Sequence, residues 1–82
     1  MTDVLLPDEV WEGVEPGTEA LVDQWLVREG ERVNAGQTLA KVVLVKANLE
    51  VTAPSDGVLE RILVPAEGTF PKGRPIATLR ET

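Results

Sequence analysis

The strongest constraint on this chain is an internal repeat. Ala20-Leu-Val-Asp-Gln-Trp-Leu-Val27 and Gly57-Val-Leu-Glu-Arg-Ile-Leu-Val64 share one pattern: a small residue, two aliphatics, an acid, a polar residue, a large apolar residue and a closing Leu-Val. The offset is 37 residues, and it persists beyond these runs. Val33 matches Phe70, Gly36 matches Gly73, Leu39 matches Ile76 and Ala40 matches Ala77. Val4-Leu-Leu-Pro7 likewise echoes Val51-Thr-Ala-Pro54. A self-similar chain of this length predicts two interlocked halves related by a pseudo-twofold.

Both halves read as β. Short runs rich in Val, Ile and Leu alternate with turn residues every 8–12 positions, and no segment carries a sustained helical period, so the fold class is an all-β barrel or sandwich. Strands are expected from Asp3 to Leu6 (closed by Pro7), Glu19 to Val27, Gln37 to Val45, Asn48 to Ala53, Val58 to Pro65 and Ile76 to Leu79. Val22, Trp25 and Val27 look like core positions, with Trp25 a core anchor. Their three-residue step implies a bulge, repeated at Leu59, Ile62 and Val64. In the turn around buried Val33, Gly30 and Gly36 are expected in conformations other residues resist. Pro54-Ser-Asp-Gly57 reads as a further turn.

The join between the halves is Val42-Val-Leu-Val-Lys-Ala-Asn-Leu-Glu-Val51, two β-runs meeting at a tight turn. Hairpin turns face water, so Lys46 should extend an amine with no packing neighbours, flanked by Val45 and Ala47. That is what covalent attachment requires, and also where any surface lysine can sit. Asp8 to Thr18 is an insertion of about ten residues relative to the second half. Over Asp8 to Glu19 it carries Asp8, Glu9, Glu12, Glu15 and Glu19 without a base. Trp11 within it has two readings: a cover folded over a barrel edge, or an exposed partner contact.

Composition removes several function classes. Eighty-two residues make one domain, 1–82, near the size at which a core holds without staples. With no Cys and no His there is no disulfide, thiolate metal site or imidazole base, and the single serine, Ser55, has nothing to activate it. The glycines form no phosphate-binding loop. A net charge of −6 without any Lys/Arg cluster argues against nucleic acid. No apolar run approaches the roughly 20 residues of a membrane span. Met-Thr-Asp-Val does not open like a signal peptide, so the cytoplasm is the expected compartment.

The pattern resembles the biotinyl/lipoyl attachment domains over nearly the whole chain. The resemblance lies in Val4 to Pro7, Trp25-Leu-Val27, Glu29-Gly30 with Val33 and Gly36, and Lys46-Ala47 with Glu50-Val51. It continues through Ala53-Pro-Ser-Asp-Gly57, Ile62-Leu-Val64, Glu67-Gly68 and Gly73 to Ile76. It implies a flattened barrel of two four-stranded antiparallel sheets with pseudo-twofold symmetry, and a modified lysine, Lys46, at an exposed hairpin tip. Ala47, Pro7 and the long following loop resemble the lipoyl branch, in which that loop lies near the modified lysine and helps partners discriminate between domains. Asp8, Glu9, Trp11 and Glu12 would then belong to a recognition surface.

By the same resemblance, lipoate on Lys46 is attached by a lipoate ligase or transferase. The domain itself is non-catalytic and serves a 2-oxoacid decarboxylase, an acyltransferase core and dihydrolipoamide dehydrogenase. Two departures stand out. Val43 and Val45 occupy positions where lipoyl domains carry Glu and Asp, which predicts an apolar patch on one strand face beside the tip. The second glycine loop is also spaced one residue differently around Gly68 than the first around Gly30. Alternatives are a biotinyl carrier using the same lysine, and an unmodified interaction module docking through the valine patch or the acidic loop.

Overall fold

The computed structural model describes residues 1–81, which form eight strands and one 3-10 turn, Asp8–Trp11. The strands are β1 (Thr2–Val4), β2 (Ala20–Trp25), β3 (Arg32–Val33), β4 (Thr38–Leu44), β5 (Ala47–Thr52), β6 (Gly57–Ile62), β7 (Thr69–Phe70) and β8 (Ala77–Glu81). They build two four-stranded sheets, ordered β1-β8-β6-β3 and β5-β4-β2-β7, with antiparallel pairing throughout. The 37-residue offset carries β2 onto β6 and β3 onto β7 residue for residue, and β4 onto β8 within two residues at its start. β1 takes the place that β5 holds in the other sheet. The repeat is therefore the pseudo-twofold of the fold.

The matched positions are the core. Val22 and Leu59, Val33 and Phe70, Leu39 and Ile76, Ala40 and Ala77, and Val42 and Leu79 are all at most 1% exposed. Alternation places them inside while Leu21, Asp23 and Lys41 face outward. Both expected bulges are present. The β2–β4 register shifts between Val22 and Gln24, and the β6–β8 register between Leu59 and Arg61. Each extra residue is an acid, Asp23 or Glu60, left on the solvent side while the strand turns its next apolar residue inward. Trp25 is half-buried against the core, and its Nε1 donates to the carbonyl of Val64 at 2.8 Å, tying one sheet to the other half.

The loops obey the same symmetry, which corrects the expected spacing difference around Gly68. Gly30 N donates to Leu59 O at 2.7 Å and Glu67 N to Val22 O at 2.6 Å. Leu59 N returns to Glu31 O at 2.9 Å and Val22 N to Gly68 O at 2.8 Å. The counterpart of Gly30, at φ 88°, is thus Glu67, at φ 72°. Gly68 is a glycine for another reason: a Cβ there would stand 2.9 Å from the Pro65 carbonyl and from a Val64 methyl. Gly36 and Gly73 match at φ 83° and 82°.

Other differences from the expected elements are small. The first strand stops at Val4, and Leu6 is buried beyond it, covering the core as a loop residue ahead of Pro7. Trp11 is 5% exposed and meets the Phe70 ring edge-on at 6.2 Å. The covering reading therefore holds and the exposed-contact reading does not. The indole is shut away because the segment after Pro7 has no strand to join and closes over the core at β7.

Candidate functional site

β4 and β5 pair from Thr38↔Thr52 to Leu44↔Ala47, leaving Val45 and Lys46 as a two-residue turn. Lys46 is exposed, and among the described residues no carboxylate lies within ion-pair distance of its amine. Val45 has φ 60°, the sign required at the first central position of a type II′ turn. Glycine is the usual occupant there, and a β-branched side chain is strained in this region. Its side chain is 66% exposed, so burial does not account for the conformation. The two-residue connection between the paired Leu44 and Ala47 imposes it.

The expected valine patch divides into two surfaces. Val43 is half-buried on the outer face of β4, paired with Leu21 on one side and Asn48 on the other, in a depression with Asp23, Lys41 and Glu50. Val45, lifted out of the strand by its positive φ, sits instead in an open groove between the tip and the inserted segment. That groove is lined by Lys46 and six aliphatic residues, Val10, Val14, Leu44, Val45, Ala47 and Leu49.

The 3-10 turn explains why the segment reaches the tip. Val10 N bonds to Pro7 O, Glu12 N to Glu9 O and Val14 N to Trp11 O, winding the segment so that Val10 and Val14 pack on the core. Asp8, Glu9 and Glu12 remain exposed. Of the sequence-selected residues, the structure thus brings Val45, Lys46 and Ala47 together, leaves Asp8, Glu9 and Glu12 on the segment bordering them, buries Trp11, and puts Val43 on another face. Val10, Val14 and Leu49 were not anticipated. The available signal was two valines four apart inside an otherwise acidic stretch.

A pseudo-symmetric pair of sheets that displays one lysine on a two-residue tip defines a carrier domain, a rigid body holding out an attachment point. The chain matches the family described as Biotin-requiring enzyme over residues 13–79, and it belongs to the biotinyl/lipoyl attachment family. Its similarity runs to the lipoyl branch. It is 37% identical over 65 residues, 78% of the chain, to the dihydrolipoyllysine-residue acetyltransferase component of the pyruvate dehydrogenase complex of Rickettsia felis. It is 35% identical over 81 residues, 99% of the chain, to the succinyltransferase component of the 2-oxoglutarate dehydrogenase complex of Bacillus subtilis.

The aligned stretch is 16% of the first of these proteins and 18% of the second. Among solved structures, the solution structure of the lipoyl domain of the 2-oxoglutarate dehydrogenase complex from Azotobacter vinelandii superposes with a TM-score of 0.78. The identity is 25%, covering 99% of this chain and 98% of that one.

Proposed function

We propose that Lys46 bears lipoate in amide linkage and that the domain carries acyl groups and electrons within a 2-oxoacid dehydrogenase-type complex. The observation that carries this reading is the Val45-Lys46 tip: an exposed amine, without an ion-pair partner among the described residues, at the closed end of a six-residue ladder. A lipoate ligase or transferase can reach that amine, and the groove beside it is apolar, as an aliphatic arm requires. Once attached, the lipoyl group supplies a dithiolane that accepts acyl groups and electrons. The chain supplies the rest. The barrel does no bond-making of its own. Its stiffness keeps the attachment point in one place and so keeps the local concentration of the arm high at each partner's active site.

The partners on this reading are a 2-oxoacid decarboxylase, an acyltransferase core and dihydrolipoamide dehydrogenase. Asp8, Glu9 and Glu12 are exposed on the same inserted segment that reaches the tip through Val10 and Val14, and they give a docking partner an acidic face to read. Incubation with purified lipoate ligase, lipoate and ATP, followed by intact-mass measurement, tests the assignment. A single lipoyl addition that disappears in Lys46→Arg supports it. A biotinyl mass on protein from its native source, or full biological activity of Lys46→Arg, overturns it.

A further inference from the structure

We propose that the groove between the hairpin tip and the inserted segment is a parking site for the lipoyl arm of the same chain. The inference rests on lipoylation of Lys46 and adds a resting state to it. The residue that would bear the arm is itself one wall of the groove, and the other six lining residues are all aliphatic. None of the acids of the Asp8 to Glu19 stretch enters the lining, although five are available within twelve residues. A saturated chain ending in a neutral cyclic disulfide matches such a surface and a charged partner segment does not.

Val45 is the residue that tunes the groove. It lines the groove with Val10 and Val14 while largely exposed, and it holds a positive φ against its own backbone preference. An acid at this position would place a charge in the groove wall.

Tethering makes a weak site sufficient. A group held on a short flexible arm sees its own domain at an effective concentration of order 1 mM, so an intrinsic dissociation constant near about 1 mM leaves the groove occupied about half the time. Parking at that level shields the dithiolane from indiscriminate thiols. It also obliges each partner to compete for the arm, which raises KM while leaving kcat for the docked arm unchanged.

The test uses domain lipoylated in vitro and verified by mass, compared with the unmodified domain by NMR. The expected result is nuclear Overhauser contacts from the arm's methylene protons to the methyls of Val14 and Leu49, with chemical-shift changes at Val10 and Val14. Val45→Asn, which removes the apolar wall without adding charge, is expected to lose those contacts and to raise the rate of dithiolane reduction by dithiothreitol about twofold. Val14→Ser is a second variant with the same expectation. A lipoylated domain whose Val10, Val14 and Leu49 signals match the unmodified one overturns the parking site and leaves the carrier assignment standing. Absence of any lipoyl mass on Lys46 overturns both.

Discussion

Two residues stand in backbone conformations that their side chains disfavour, and they are the most informative positions in the chain. Among the described residues, Val45 at φ 60° and Glu67 at φ 72° are the non-glycine residues with positive φ. For an L-residue this region costs about 1–2 kcal/mol, and glycine recovers part of that while losing about 0.5–1 kcal/mol through its unfolded-state freedom. Glu67→Gly should therefore stabilise the domain slightly, by about 0.5 kcal/mol, read from the urea midpoint at constant m. Gly30→Glu, its pseudo-symmetric counterpart, should destabilise by a similar or somewhat larger amount, since a Cβ at Gly30 meets no atom within 4 Å and only the backbone preference changes. Equal signs for the two substitutions would show that the positions are not equivalent.

Val45→Asn should also raise stability, by about 0.5–1 kcal/mol, because Asn tolerates the left-handed region. A strained residue that one substitution could relieve, next to the exposed Lys46, is of the kind that clusters at functional sites. None of this was legible beforehand. Nothing in Val-Lys-Ala or Ala-Glu-Gly marks a positive φ, and reading Gly68 as the partner of Gly30 hid the fact that Glu67 takes the strained place.

At the scale of elements the sequence was far more transparent. The 37-residue offset survives into strand boundaries, bulges and loop hydrogen bonds because each matched pair of apolar residues occupies the same position against one shared core. Alternation along a strand fixes which residues face in, and a slipped register would turn the whole apolar set outward. The inserted segment lacked such a constraint. It has no counterpart in the other half, so Trp11 had two readings until its packing against Phe70 was seen.

That packing makes the 3-10 turn an integral part of the barrel. Trp11→Ala should cost about 3–5 kcal/mol, the range for large aromatic truncations in cores. That is a large fraction of the 5–15 kcal/mol typical of a whole domain. Trp11→Phe should cost much less, since it keeps the ring contact and removes a buried Nε1 that has no hydrogen-bond partner. Thermal melts of both variants check this. A Trp11→Ala domain as stable as the parent would mean that the segment merely rests on the surface.

On the scale of the molecule, the pseudo-twofold relates the β4–β5 hairpin to the edge where β8 pairs with β1. β4 and β5 are joined by the Val45-Lys46 turn; β8 and β1 pair through Thr2↔Leu79, Asp3↔Thr78 and Val4↔Ala77 with no turn between them. The Thr2 hydroxyl donates to the Glu81 carboxylate there, holding its pKa below the usual range. The β8–β1 pair thus holds in one sheet the place that the β4–β5 hairpin holds in the other.

If the halves are interchangeable supports for one core, the order in which the chain visits them should matter little. A circular permutant joining Arg80 to Met1, which face each other in the Thr2↔Leu79 register, through a two-residue Asn-Gly turn, and opened between the exposed Lys72 and Gly73, tests this. Loop-closure cost changes by only about 0.6 kcal/mol per doubling of length, and a primed turn suits the twist of an antiparallel pair. The permutant should unfold in a single transition within about 1–2 kcal/mol of the parent and still accept lipoate at Lys46. A permutant that folds but is not loaded would place the ligase's recognition beyond the tip and the inserted segment. One that fails to fold would show that β7, freed at its end, is held by its connection to β8 and not by its pairing with β2.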